Sequence, residues 1–228
     1  MPRGPRMAPG GLVYHVLNRA AGRMKMFRRE ADFAAFERVV GQAHERCPIR
    51  ILSFCVLSNH WHFVVWPRED GQVTEFFRWL AHTHAMRWRV SHRTVGYGPL
   101  YQGRFKSFPV QDDEHLLKLC RYVERNPLAA GAVGRAEQWR YGSLWIRLNG
   151  DAKQRSILSA WPLDRPRDWT RLVNQPPHEA DVAAIRTSLE RGRPLGSATW
   201  TQRTAQRLDL GHTLRSEGRP RTGSSDKN

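Results

Sequence analysis

The order of strand-like and helix-like segments is the feature that most constrains the fold. Apolar, β-branched and aromatic runs predict strands at 12–17, 49–57, 60–66 and 102–110, and helical spacing of apolar residues predicts helices at 30–46 and 73–92. Strand, helix, strand, strand, helix, strand is the ferredoxin-like order, in which an antiparallel sheet carries both helices on one face. We therefore expect an α+β fold with a ferredoxin-like antiparallel sheet.

One additional helix follows this pattern. Asp112 or Asp113 is a suitable cap for a helix that begins there, and apolar residues continue at helical spacing until Asn126-Pro127. A proline disfavours helical geometry at the residue before it, so we expect the helix to end at that dipeptide.

Composition divides the chain into three parts. Residues 1–11 are rich in Pro, Gly and Arg and predict a flexible basic arm, and residues 12–150 hold the predicted core. Residues 151–228 turn towards Pro, Arg and Gly, which predicts a basic, weakly packed and partly disordered C-terminal extension with short helices near 179–191 and 199–208.

The charge of the chain indicates a polyanionic partner. Lys and Arg total 37 against 21 Asp and Glu, a formal net charge of +16. Arg suits bidentate phosphate contacts and base stacking, so nucleic acid is favoured over a membrane surface, although a high genomic GC content also enriches Arg. No apolar run reaches the roughly 20 residues that span a bilayer, and we expect a cytoplasmic protein.

His60 and His62 lie in the third predicted strand. Alternate residues of a strand face the same side, so these two imidazoles share one sheet face and can share a divalent metal. The competing interpretation is a hydrogen-bonded surface pair, because a lone His-x-His pattern is weak evidence for a metal site.

Tyr122 and Asn126 stand four residues apart on the additional helix. This spacing puts a phenol and an amide oxygen on one helix face, where Tyr122 would be a nucleophile and Asn126 a third ligand. Alternatively, Tyr122 only packs at the rim and Asn126 caps the helix. Phosphodiester transfer by a phenol requires a nearby cation, and two imidazoles with one carbonyl oxygen suit Mg²⁺ or Mn²⁺.

Three sequence blocks carry a family resemblance. Residues 59–62 read Asn-His-Trp-His, residues 101–106 read Tyr-Gln-Gly-Arg-Phe-Lys, and residues 121–127 read Arg-Tyr-Val-Glu-Arg-Asn-Pro. In this order, over about residues 12–150, they resemble the His-hydrophobic-His single-tyrosine transposases and, within them, the REP-associated tyrosine transposases. Gly-Arg-Pro, at 192–194 and 218–220, resembles the same branch.

The resemblance implies an activity and its residues. His60 and His62 would bind Mg²⁺ or Mn²⁺, Asn126 would complete the site, and Tyr122 would attack single-stranded DNA to leave a 5′-phosphotyrosine and a free 3′-hydroxyl. The substrate would be a hairpin with a short guide sequence beside its foot. Relatives act as homodimers or as monomers, and the sequence leaves that choice open.

Further residues are candidates for nucleic-acid contact. Arg104 and Lys106 would share a face of the last strand, near the cleavage site, unless they serve as protective charges on a sheet edge. The resemblance alone suggests that Asn18 and Arg19 touch guide bases. The Gly-Arg-Pro segments would lay Arg193 or Arg219 into a minor groove, unless they form only a solvated basic tail. We expect Glu124 to be solvated, and His15 and His115 to be surface or packing residues.

Two other functions remain open at this point. One is a ferredoxin-like module that binds structured DNA or RNA with a vestigial site. The other is a metal-dependent hydrolase that uses water as its nucleophile, with Tyr122 only orienting the substrate.

Overall fold

The computed structural model describes residues 8–215. Its strands are β1 Val13–Arg19, β2 Arg50–Leu57, β3 His60–Trp66 and β4 Lys106–Val110. Its α-helices are α1 Glu30–Arg46, α2 Gln72–Ser91, α3 Glu114–Ala129, α4 Ser143–Asn149, α5 Ala152–Ser156, α6 Trp169–Asn174, α7 Glu179–Arg191 and α8 Ala198–Arg207. Short 3₁₀ turns lie at Ala21–Arg23, Ala136–Gln138 and Gly211–Leu214.

The four strands form one antiparallel sheet in the order β2-β3-β1-β4. This order and the intervening helices α1 and α2 confirm the predicted ferredoxin-like α+β fold. Within the described part of the chain, no helix has the length and apolar character needed to cross a membrane.

Residue alternation in β3 decides what each sheet face packs against. Trp61, Phe63 and Val65 are fully buried in the core that α1 and α2 complete. Val64 belongs to a second core on the opposite face, together with Leu116 and Leu119 of α3. His60 and His62 have the same parity as Val64, so they lie on the face that α3 covers.

The boundaries of two elements differ from the prediction. Helix α3 continues through Pro127 to Ala129, so Asn126 lies inside the helix and does not cap it. Pro127 removes only the bond to the Val123 carbonyl, and the helix closes two residues later with a bond from Ala130 N–H to the Asn126 carbonyl, 2.9 Å. Asp113 caps the start of α3, as predicted, by accepting from the His115 N–H at 2.9 Å.

Strand β4 begins at Lys106 rather than at residue 102. Tyr101 forms an isolated bridge with Ala20, and the backbone bends at 102–104 before the strand begins. Arg104 therefore does not alternate with Lys106 along a regular strand.

The N-terminal arm is partly ordered. Ala8 is buried, Gly10 N–H donates to Asp70 Oδ1 at 2.8 Å, and Gly11 N–H donates to the Pro67 carbonyl at 2.9 Å. The expectation of a flexible arm is therefore wrong for residues 8–11, because backbone hydrogen bonds tie them to the loop before α2. Residues 1–7 lie outside the described part of the chain.

Residues 151–215 are packed on the core, which corrects the prediction of a weakly packed extension. Trp169, Val173, Ile185 and Leu195 are buried in the second core with α3. These anchors are isolated among Pro and Arg in the sequence, so they show no periodic pattern. The two short helices predicted near 179–191 and 199–208 are confirmed as α7 and α8. The disorder expected for part of the extension stays a prediction, because residues 216–228 lie outside the described range.

The extension also covers both edges of the sheet. Leu158 forms a parallel bridge with Ile51 at the outer edge of β2, and Leu195 forms one with Val110 at the outer edge of β4. Leu195 N–H donates to the Pro109 carbonyl at 2.9 Å, and Gln111 N–H donates to the Leu195 carbonyl at 2.8 Å. These contacts satisfy backbone groups that an open edge strand would expose.

Glu124 links α3, the sheet and the extension, and it is 3% exposed rather than solvated as expected. Its Oε1 accepts from the hydroxyls of Ser143 at 2.5 Å and Ser53 at 3.2 Å, and its Oε2 accepts from Trp169 Nε1–H at 2.6 Å. Burial raises the pKa of Glu124, while these hydrogen bonds and the positive charge of Arg147 oppose the rise. A buried carboxyl requires such partners, which sequence spacing does not reveal.

Replacing Trp169 with Phe tests this link. The substitution removes one donor from a buried carboxyl, which typically costs about 1.5–3 kcal/mol, so we expect a loss of that size in the free energy of unfolding measured by urea denaturation. Trp145 is half-buried on α4, and Trp145→Phe is the matched control with a smaller expected loss. Equal losses in the two variants would contradict a specific role for the Glu124 hydrogen bond.

Candidate active site

His60 and His62 stand at the start of β3 on the sheet face that α3 covers. Their ring centroids lie 4.9 Å apart with the rings nearly perpendicular at 83°. His62 is 3% exposed, whereas His60 is half-buried. The predicted shared face is therefore present, with one deep and one accessible imidazole.

The hydrogen bond of His60 fixes which ring nitrogen is free. Nδ1 of His60 lies 2.6 Å from Oδ1 of Asn59. An amide oxygen only accepts, so the proton is on Nδ1 and the lone pair is on Nε2. His60 thus presents Nε2 as its possible ligand atom.

His15 of β1 belongs to the same cluster, contrary to the expectation that it is unrelated to the site. Its Nε2 lies 3.0 Å from Nδ1 of His62, and the two rings stack at 5.1 Å with an interplanar angle of 18°. His15 is diagonal to His62, since the strands pair His15 with Val64 and Leu17 with His62. The parity of β1 was available from the sequence, but the register that makes this contact was not.

All three imidazoles are neutral at pH 7. Burial lowers the pKa of His15 to about 3. Burial, with a smaller effect of the Arg19 charge, lowers the pKa of His60 to about 4. The pKa of His62 is well below its ordinary value because of burial first and then the nearby His15, His60 and Arg19. Neutral imidazole is the form that binds metal ions.

Tyr122 of α3 lies against this cluster. Its ring centroid is 6.2 Å from that of His62, with the two rings perpendicular at 90°. Burial raises the pKa of the Tyr122 phenol, while the positive charges of Arg186 and Arg19 lower it. The chain therefore brings together a phenol, imidazoles and two guanidinium charges.

Asn126 lies on the same helix, one turn after Tyr122, and is half-buried. Its Nδ2 donates to the Tyr122 carbonyl at 3.2 Å, so Oδ1 is the atom that a metal ion would use. Within residues 8–215, there is no cluster of three or more His, Cys, Asp or Glu suited to a metal ion. A metal site here would therefore consist of two imidazoles and an amide oxygen.

Two of the predicted nucleic-acid residues face the candidate site. Arg19 pairs with His60 across the strands, and Leu17 pairs with both His62 and Lys106. Paired residues share a face, so the exposed Lys106 lies on the histidine side, two strands from His62 at about 9–10 Å. Both side chains are placed where phosphate contacts at the site are possible.

The other predicted contacts lie elsewhere. Asn18 is buried. Its Nδ2 donates to the Gly103 carbonyl at 3.3 Å and its Oδ1 accepts from the Arg19 N–H at 2.9 Å, so both polar atoms of its side chain form hydrogen bonds within the protein. Arg104 is exposed in the bend before β4, and Arg193 is half-buried beside the segment that pairs with β4. Arg219 lies outside the described residues.

Arg186 is a candidate site residue that sequence reasoning missed, since its positive charge acts on Tyr122. It is exposed on α7, directly after the buried Ile185 that packs in the second core. Ile185 and Asp181 of α7 line a small groove with Lys118 and Tyr122 of α3, and Asp181 pairs with Lys118 at 3.3 Å. No motif surrounds Arg186, so only the packing of the extension could identify it.

Comparison with known proteins identifies the family. The model of the IS200-like transposases matches residues 10–126, just over half of the chain and the part that includes β1–β4 and most of α3. The chain belongs to the IS200-like transposase family. The protein is therefore a DNA-processing transposase, which confirms the resemblance carried by the three sequence blocks.

The chain was also compared with solved structures and with curated proteins. The chain is similar to a solved structure described as a REP-associated tyrosine transposase bound to a REP hairpin, at 16% identity and a TM-score of 0.48. That alignment covers 73% of this transposase and 96% of the other chain. Comparison with curated proteins finds no match.

A buried polar network supports the histidine strand of this transposase from its other face. Trp61, between His60 and His62, donates its Nε1–H to the Tyr101 hydroxyl at 3.0 Å. The Tyr101 hydroxyl lies 2.6 Å from Nδ1 of the buried His84. The network joins β3, α2 and the segment before β4, and Tyr101, the first residue of the second sequence block, is its central member.

His84 makes the stability of this network pH-dependent. Burial, partly offset by the negative charge of Asp32, lowers the pKa of His84 to about 3, whereas an unfolded His titrates near 6.5. Between these values the unfolded chain binds the extra proton, so the stabilising contribution is full above about pH 6.5 and falls as the pH decreases. Relative to His84→Gln, the wild type should lose about 2 kcal/mol more unfolding free energy between pH 7.5 and pH 5.

Urea denaturation at both pH values measures this difference. His82→Gln is the matched control, because His82 is exposed two residues earlier on the same helix, and it should keep the wild-type pH dependence. A His84→Gln variant as pH-sensitive as the wild type would show that His84 is not held neutral.

Proposed function

We propose that the protein is a REP-associated tyrosine transposase that cleaves and rejoins single-stranded DNA at hairpins, through a covalent 5′-phosphotyrosine on Tyr122. The observation that supports this most directly is the edge-on contact of the Tyr122 and His62 rings, 6.2 Å between centroids, although 60 positions separate them in the sequence. One chain supplies both groups. The REP-associated branch is proposed from the three sequence blocks and from the Gly-Arg-Pro segments.

The reaction at Tyr122 is a phosphoryl transfer in which one phosphoester bond forms for each one that breaks. The phenolic oxygen forms a bond to phosphorus, the bond from phosphorus to the 3′ oxygen breaks, and the phenolic proton ends on that 3′ oxygen as a hydroxyl. Rejoining is the reverse attack by a 3′-hydroxyl. Because the phosphotyrosine conserves the phosphodiester energy, no external energy source is required.

The residues present fit a loosely held divalent cation. His60 offers Nε2, His62 offers Nε2 in the tautomer whose Nδ1–H donates to His15, and Asn126 offers Oδ1. These neutral ligands match Mg²⁺ or Mn²⁺ bound together with substrate phosphate, whereas a closed zinc site requires four ligands. When bound, the cation would polarise the scissile phosphate.

Two positive charges partly offset the effect of burial on Tyr122. Burial raises the pKa of the phenol, and the positive charges of Arg186 and Arg19 act against that rise. The same two guanidinium groups are suited to hold the oxygens of a phosphate beside the phenol. The positive net charge of +16 supplies the general attraction for a DNA strand.

A covalent-adduct assay tests the role of Tyr122. Labelled hairpin single-stranded DNA is incubated with the full-length protein and Mn²⁺ and then separated on a denaturing gel. We expect a protein-DNA adduct that Tyr122→Phe abolishes, because Tyr122 supplies the phenol beside His62. Tyr97, which is 80% exposed, provides the matched control Tyr97→Phe, which should keep the adduct.

Two results of this assay would contradict the proposal. Cleavage without an adduct favours water as the nucleophile and a metal-dependent hydrolase. DNA retention without cleavage favours a binding module with a vestigial site.

Arg186→Ala tests whether the extension contributes to the DNA site. Loss of one phosphate contact should reduce the slope of log affinity against log salt by about 0.7–0.9, measured by fluorescence anisotropy of the labelled hairpin. Arg38, exposed on α1 on the opposite side of the sheet, provides the control Arg38→Ala, which should keep the wild-type slope. An unchanged slope in Arg186→Ala would remove α7 from the DNA interface.

A further inference from the structure

His15 is a buried imidazole on the histidine face of the sheet. It is 0% exposed, and its ring packs against Phe108 at 5.0 Å as well as against His62. Burying an imidazole next to an aromatic side chain costs free energy unless its polar atoms are used. Whether each ring nitrogen forms a hydrogen bond therefore indicates why this buried position is occupied by a histidine.

The polar contact of His15 is directed at His62. Its Nε2 lies 3.0 Å from His62 Nδ1, while its Nδ1 is buried without a hydrogen-bond partner in the described part of the chain. The hydrogen bond to His62 is thus the interaction that an apolar residue could not replace.

We infer that His15 is a positioning residue for His62, which it holds in the tautomer that leaves Nε2 free for a cation, and this inference rests on the proposed function. In this arrangement His62 Nδ1–H donates to the lone pair of His15 Nε2. Nδ1 and Nε2 lie on opposite sides of the imidazole, so Nε2 of His62 is directed away from His15. The reverse tautomer would protonate His62 Nε2 and block it.

Asn59 and His15 have equivalent roles in this scheme. Asn59 Oδ1 holds the proton on Nδ1 of His60 at 2.6 Å, and His15 Nε2 does the same for His62 at 3.0 Å. Each proposed ligand therefore has an acceptor at Nδ1, which fixes both the ring orientation and the free nitrogen. Such outer contacts commonly contribute 10–100-fold to metal affinity.

Direct Mn²⁺ binding tests the inference without relying on activity. The free Mn²⁺ concentration is measured by electron paramagnetic resonance during titration of MnCl₂ into the full-length protein. His15→Leu should weaken binding about 10–100-fold, because it removes the acceptor. His15→Gln should stay within a few-fold of the wild type, since its amide oxygen reaches the position of Nε2. The exposed His82 gives the control His82→Leu, with unchanged affinity.

Folding and DNA binding are measured on the same variants. Thermal unfolding and metal-free hairpin affinity should stay close to those of the wild type in His15→Gln. If His15→Leu does not fold, the comparison of His15→Gln with His15→Asn replaces it, because the Asn amide is too short to reach Nδ1 of His62.

The outcomes separate this inference from the proposed function. Wild-type affinity in His15→Leu, or equal weakening in His15→Leu and His15→Gln, would overturn the role of the hydrogen bond while Mn²⁺ binding that depends on His62 persists. Absence of Mn²⁺ binding by the wild type, or wild-type binding by His62→Ala, would instead overturn the metal site itself and the inference with it.

Discussion

The packing of α3 on the histidine face of the sheet is the contact on which the candidate site depends. The sheet alone places His60 and His62 side by side, but without α3 that face would present imidazoles with no phenol beside them. Glu124 stabilises this packing through Ser53 of β2, Ser143 of α4 and Trp169 of the extension. Since Glu124 is two residues from Tyr122, the network that holds the helix also fixes the rotation that turns the phenol towards His62.

Much of the fold could be predicted because the periodicity of apolar residues and the order of the elements determine it. Alternation in β3 separates Trp61 from His60 and His62, and the strand-helix order admits few topologies. The extension could not be predicted in the same way. Its contribution comes from single anchors such as Trp169 and Leu195, which are separated by Pro and Arg and become meaningful only when the sheet edges and α3 are in place. At Pro127 a local rule was wrong: it predicted a helix end, whereas the helix continues through the buried Pro127 to Ala129.

The candidate site was predictable where spacing within one element decides geometry. His60 with His62, and Tyr122 with Asn126, follow from the periods of a strand and a helix. Contacts between elements required the structure: His15 depends on the register of β1 against β3, and Arg186 depends on how α7 packs on α3. Arg19 lies between these cases, because its place at the end of β1 was visible in the sequence but its pairing with His60 was not.

The extension also changes the electrostatics of the tyrosine. The family match ends at residue 126, and α7 lies well beyond it. A buried phenol becomes a weaker acid, which is unfavourable for a nucleophile, and the positive charges of Arg186 and Arg19 oppose this effect. The family domain supplies Arg19, whereas the extension supplies Arg186. The segment that covers the sheet edges therefore also supplies positive charge near the proposed nucleophile, so a transposase domain that ended before the extension would keep the phenol and the imidazoles but lose the Trp169 contact to Glu124 and the Arg186 charge.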